Sequence, residues 1–123
     1  MKKIILFLII SALLISACTQ RNQNDGNTSI QGYVKEFKMT AKQFAFEPEI
    51  IEVNKGDMVR LIVTSIDVPH GISIPEYGIN ERLNPGEPVT IEFIADKEGS
   101  FTSFCSVFCG SGHGGMKGKI VVK

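Results

Sequence analysis

Met58-Val59-Arg60-Leu61-Ile62-Val63-Thr64-Ser65, followed by Ile66-Asp67-Val68-Pro69-His70, is the stretch on which the fold turns. Its first eight residues are rich in β-branched and aliphatic side chains and contain neither glycine nor proline, which is how a strand reads. The strand delivers the chain to Pro69 and His70. The same kind of short apolar run recurs on either side: Val34 to Ala41, Ile50 to Val53, Gly71 to Ile74, Val89 to Ile94, Gly99 to Phe104 and Gly118 to Val122. Turn chemistry separates the runs at Asn54-Lys55-Gly56-Asp57, Asn84-Pro85-Gly86 and Asp96-Lys97-Glu98-Gly99. No segment carries helix-length periodicity, so the expectation is an all-β sandwich. Val89 to Ile94 and Gly99 to Phe104 read as the two arms of a hairpin.

The second of those arms runs straight into Cys105-Ser106-Val107-Phe108-Cys109-Gly110-Ser111-Gly112-His113-Gly114-Gly115-Met116. This loop holds two thiols, an imidazole and a thioether, the side chains that soft and borderline transition metals prefer. The whole chain has only two histidines and three cysteines, and the loop takes His113, Cys105 and Cys109. His70 is the other histidine. A sandwich gathers its loops at its two ends, so His70 after one strand and the Cys105 to Met116 loop after another can meet at one pole.

The donor set points to copper. A mononuclear blue-copper site needs one cysteine, two histidines and a weak methionine, and this set has one thiolate more than that. The spacing Cys105-x-x-x-Cys109 allows both sulfurs to bridge two copper ions, with one histidine terminal on each. Met116 can serve as a weak donor to one ion, and the backbone carbonyl of a residue between the cysteines to the other. Three other readings stay open. An exported pair of cysteines can form a plain disulfide, and two Cys with two His can hold zinc, though zinc leaves Met116 unexplained. A redox dithiol is the third, but such pairs are usually Cys-x-x-Cys on a helix of an α/β fold.

With 123 residues and a hydrophobic fraction of 43%, the chain has room for one modest packed domain. Lys and Arg together number 13, as do Asp and Glu, so no strong field favours nucleic acid. Residues 1–17 read as a lipoprotein signal peptide: Lys2-Lys3, an apolar run from Ile4 to Leu14, then Ser16-Ala17. Leu14-Ile15-Ser16-Ala17-Cys18 resembles a bacterial lipobox, which makes Cys18 the expected lipidation site. The segment 18–33 is then a lipidated cysteine on a polar tether, since Thr19 to Ser29 has no apolar residue. The folded domain is expected over 34–123, on the extracytoplasmic face of the cell membrane and held there by its lipid.

The pattern Cys105-Ser106-x-x-Cys109-Gly110-x-x-His113-x-x-Met116, with Asp67-Val68-Pro69-His70-Gly71 upstream, resembles the CuA domain of cytochrome c oxidase subunit II. It is similar to the corresponding domain of nitrous-oxide reductase as well. The resemblance runs from about Met39 to Lys123 and includes Asn84-Pro85-Gly86 and Gly118-Lys119-Ile120-Val121-Val122. It implies a cupredoxin-like Greek-key β-sandwich and a dinuclear CuA centre. His70 and Met116 would bind one copper, His113 and the Val107 carbonyl the other, and Cys105 and Cys109 would bridge. The implied function is single-electron transfer from a c-type cytochrome or similar donor to a terminal oxidase or other acceptor. The alternative is a lipoprotein that stores or delivers copper for another cuproenzyme.

Three features depart from that family. Val107 stands where Glu or Gln is usual, and the chain has no Trp, so that Gln43-Phe44-Ala45-Phe46 occupies a stretch that is normally Trp-rich. A signal and lipid-type cysteine replace the usual membrane helices. Met39, Met58 and the scattered Phe residues read as core, and Glu76, Glu81 and Glu87 as solvated surface acids able to attract a basic partner. No acid-base pair, activated nucleophile or phosphate loop is legible, so catalysis by this chain alone is not expected.

Overall fold

The computed structural model describes residues 33–123. The signal peptide, Cys18 and the tether up to residue 32 lie outside the described residues. Among the described residues nine strands form two sheets: β1 (Val34–Lys42), β2 (Ala45–Glu47), β3 (Ile50–Val53), β4 (Met58–Ser65), β5 (His70–Ile74), β6 (Ile79–Leu83), β7 (Val89–Ile94), β8 (Gly99–Phe104) and β9 (Lys117–Val122). One sheet runs β2-β1-β4-β7, the other β3-β9-β8-β5-β6. The described residues include no helix long and apolar enough to cross a membrane; helix is confined to single 3-10 turns at Pro75–Tyr77 and His113–Gly115.

Period-two alternation sets which side chains face inward. On β4, Val59, Leu61, Val63 and Ser65 are buried while Arg60, Ile62 and Thr64 are only partly covered. Met39 and Ala41 of β1, Ile51 and Val53 of β3 and Ile120 and Val122 of β9 complete the layer between the sheets. Each of the Val, Leu, Ile and Met side chains among them contributes roughly 1.5–3 kcal/mol by leaving water. All five residues of β5 are buried: it lies between β6 and β8, and the Cys105 to Met116 loop rests against Gly71.

The hairpin reading of Val89 to Ile94 and Gly99 to Phe104 is corrected. β7 pairs with β4 in one sheet, whereas β8 pairs with β9 and β5 in the other, so residues 95–98 carry the chain across the sandwich. Asp96 to Gly99 supplies the same turn residues for a crossing as for a hairpin, and only the long-range partners tell them apart. Two strands, β2 and β6, escape the pattern reading. β2 is three residues long, and Ile-Asn-Glu-Arg-Leu of β6 is a polar strand at the sheet edge with three exposed residues at its centre. The core assignment also needs correction. Met39 and Phe46 are buried, but Met58, Phe44, Phe104 and Phe108 are exposed, Met58 and Phe104 because they fall on the outward parity of their strands. Glu76, Glu81 and Glu87 are at the surface as expected.

Candidate metal centre

β4 ends at Ser65, and the turn that follows is pinned rather than loose. Ile66 N–H donates to the Ala41 carbonyl (3.1 Å) and Gly86 N–H to the Ser65 carbonyl (2.8 Å), while the Ser65 hydroxyl donates to the Val68 carbonyl at 2.6 Å. His70 enters β5 fully buried. Its Nε2 lies 2.7 Å from Asp67 Oδ1, which leaves Nδ1 facing the sulfurs. Burial by itself would raise the Asp67 carboxyl, but the backbone N–H groups of Gln43 and Val68 and the His70 ring hold it below the usual carboxylate range. A carboxylate that grips the outer nitrogen of an imidazole is the arrangement that orients metal-ligating histidines.

The Cys105 to Met116 loop leaves β8 and returns as β9. Cys105 N–H donates to the Met116 carbonyl at 3.0 Å and closes the loop's base; His113 N–H to Gly110 O and Met116 N–H to His113 O, both 3.1 Å, shape its tip. Gly110 sits at φ +132, where a Cβ is strained.

Within this frame the two sulfurs lie 3.8 Å apart. Cys105 Sγ is 3.7 Å from His70 Nδ1 and 3.1 Å from the Val107 carbonyl. Cys109 Sγ is 3.7 Å from His113 Nδ1 and 3.9 Å from Met116 Sδ. All six expected site residues are thus gathered at one pole, with His70, Cys105, Cys109 and Met116 buried and His113 and Val107 partly covered. Both cysteines are free. The ligand atoms of His70, Cys105 and Cys109 lie within 4.8 Å of one another, a spacing suited to a metal ion. The sulfur separation is also shorter than twice a metal-thiolate bond of about 2.3 Å, so one ion can touch both.

Burial pushes the Cys109 thiol up to about 11, and the neighbouring Cys105 adds to the rise. The metal-free folded chain therefore keeps a proton that the unfolded chain releases near pH 8.5. Because the unfolded state then binds fewer protons, stability must fall as pH rises from there toward 11. Urea unfolding of the metal-free chain is expected to show a midpoint that declines across this window, with a shallower decline in Cys109→Ala. Identical slopes in the two proteins would contradict it.

Several supporting groups escaped the sequence reading. Asp67 is one, although its spacing three residues before His70 was a usable signal. Ser106 is another: its hydroxyl donates to Asn80 Oδ1 at 2.7 Å and ties the loop to β6. Gln43 is the third, and it carried no local signal, since its partner Cys109 is 66 residues away.

The sequence matches the cupredoxin-like domain family over residues 5–122. It is 37% identical over 90 residues to nitrous-oxide reductase of Cupriavidus necator, covering 70% of this chain and 14% of that protein. It is 38% identical over 80 residues to cytochrome c oxidase subunit 2 of Thermus thermophilus, covering 65% of this chain and 59% of that one. The chain thus spans less than two thirds of either relative. Among solved structures, the periplasmic domain of subunit II of cytochrome oxidase of Bradyrhizobium japonicum superposes with a TM-score of 0.66 at 25% identity, over 72% of this chain and 83% of that domain.

Proposed function

This chain belongs to the cupredoxin-like family, and from that premise we propose that it is a copper-binding electron-transfer protein with a dinuclear CuA-type centre. The observation that carries the reading is a pair of buried sulfurs 3.8 Å apart, each with an imidazole Nδ1 at 3.7 Å. Cys105 and Cys109, deprotonated, would bridge; His70, His113, Met116 and the Val107 carbonyl would complete the donor set. Bound there, a copper pair would supply a one-electron couple, with the electron shared between the two ions.

The protein's own contribution is restraint. Asp67 fixes the His70 ring, the pinned Ser65 to Pro69 turn fixes its backbone, and the bond from Cys105 N–H to the Met116 carbonyl fixes the span of the loop. Such restraint keeps the donors in place when an electron arrives or leaves. Burial of both sulfurs keeps water away from them. His113 is only partly covered, with the exposed Phe108 ring 5.7 Å away centroid to centroid, so this side of the donor set is open to a partner.

In this reading residues 1–17 are a signal peptide, Cys18 carries the lipid, 18–33 is the tether and 34–123 the electron-transfer domain. The domain works on the extracytoplasmic face of the membrane. It takes electrons from a c-type cytochrome or similar donor and hands them to a terminal oxidase or other acceptor. Sequence similarity to cytochrome c oxidase subunit 2 and nitrous-oxide reductase supports that role. The test is copper stoichiometry with visible and paramagnetic-resonance spectra after copper is added to the reduced chain. Two coppers, a purple colour and an unpaired electron shared by two copper nuclei are expected. A single labile Cu(I), or a disulfide that takes no metal, would overturn the proposal in favour of copper delivery or a structural module.

A further inference from the structure

The turn between β1 and β2 belongs to neither metal-bearing segment, yet it touches both. Gln43 backbone N–H donates to Asp67 Oδ2 at 2.7 Å, and Asp67 holds His70 through its other oxygen. The Gln43 side-chain amide donates to the Cys109 carbonyl at 2.5 Å. The next residue, Phe44, lies on the loop itself: a Cβ placed at Gly112 would fall 2.3 Å from Phe44 Cδ2, and one at Gly110 would fall 3.0 Å from its ring and 2.9 Å from Gln43 Nε2. Gln43 is exposed, so hydrophobic packing does not explain its place.

We infer that Gln43 is a positioning residue of the metal centre, a clip that joins the His70 arm to the Cys109 arm through Asp67 on one side and the Cys109 carbonyl on the other. The inference rests on reading this pole as a metal site. The need for such a clip follows from the loop's composition. Gly110, Gly112, Gly114 and Gly115 give it cheap backbone freedom, and Cys109 immediately precedes Gly110 at φ +132. A peptide plane next to such a glycine can rotate at little steric cost, and its rotation would swing the Cys109 sulfur away from Cys105 and His113. An amide donor anchored on the opposite segment blocks that rotation. Supports of this outer kind typically govern metal retention by about 10–100-fold.

The experiment compares the full-length chain with Gln43→Ala and Gln43→Glu. The second variant keeps size and reach but presents a carboxylate to a carbonyl oxygen, so it removes the bond without removing the bulk, and it decides the matter if Gln43→Ala fails to fold. Three readouts are taken: copper loss to excess chelator, the hyperfine pattern of the loaded protein, and iodoacetamide alkylation of Cys109 in the reduced metal-free chain, located by peptide mapping. Expected in both variants are copper loss faster by about 10-fold, an altered hyperfine pattern and faster alkylation of Cys109, with an unfolding midpoint close to that of the parent. Parental behaviour of Gln43→Glu in copper loss and spectrum overturns the inference, even if alkylation rises, because Gln43 would then only shield the thiol. Should the parent itself bind no copper pair, the electron-transfer reading falls separately. Amide hydrogen exchange across Cys109 to Gly112 in the metal-free chain, read beside Cys109 alkylation, then decides the clip: both faster in both variants upholds it, and unchanged exchange sinks it whether or not alkylation rises.

Discussion

Replacing Cys105 by serine is expected to abolish the proposed dinuclear centre while leaving the fold in place. Cys105 sits at the junction of the donor set, 3.7 Å from His70 Nδ1, 3.8 Å from Cys109 Sγ and 3.1 Å from the Val107 carbonyl. A serine hydroxyl is a hard donor that stays protonated at neutral pH, so it cannot replace a soft bridging thiolate. The loss should exceed the roughly 10–100-fold that outer supports contribute. In the reduced, copper-titrated variant, stoichiometry should fall below the parent's, and the purple colour and shared-electron signal should vanish. The new hydroxyl still finds the Val107 carbonyl as an acceptor, so the urea midpoint of the metal-free variant should move by no more than about 1 kcal/mol equivalent. A variant that retained the mixed-valence signal would show that Cys105 does not bridge.

Gly71→Ala is expected to damage the same centre from the other side, through packing rather than chemistry. Gly71 follows His70 on the buried strand β5, and the ligand loop rests directly on it. A Cβ there would lie 2.3 Å from Ser106 Oγ, 3.0 Å from Val107 Cγ2 and 3.1 Å from Val107 N. The serine hydroxyl can rotate, at the cost of its bond to Asn80. The Val107 backbone cannot yield without moving the segment between the two cysteines. Overpacking of this kind costs about 1–3 kcal/mol, and here the strain is released into the donor set. The expected result is a lower urea midpoint together with weakened copper retention, measured by chelator competition. An unchanged midpoint with native spectra would mean that the loop is held from elsewhere.

The two substitutions divide along the line between what was legible and what was not. Cys105, Cys109, His113 and Met116 could be named as a donor set because they lie within one short loop, where spacing alone limits how far apart they can be. The sandwich was legible for a similar reason. Met58 to Ser65 is rich in β-branched and aliphatic residues and bounded by turn chemistry, and that composition is a local property of the chain. Polar or very short strands broke the rule. β6 at the edge needs few apolar residues, and β2 is too short for any period to show.

Pairing was not legible. Asp96 to Gly99 reads equally as a tight hairpin or as a passage between sheets, and the choice falls to the partners of β7 and β8, which are β4, β9 and β5. The contacts around the centre follow the same logic. Nothing near Gln43 announces the Cys109 carbonyl, and nothing near Gly71 announces Val107, because each contact joins segments that are distant in sequence. By itself, the sequence determined the chemistry available to this protein: two soft sulfurs, an imidazole and a thioether in one loop and a second imidazole upstream, on a chain of short apolar strands suited to two packed sheets. Only the tertiary structure decided which imidazole faces which sulfur, that Asp67 and Gln43 tie the two arms together, and that Gly71 must stay bare. Side-chain identity and periodicity are carried locally along the chain, whereas register, crossing and close approach arise only when segments tens of residues apart are pressed into one core.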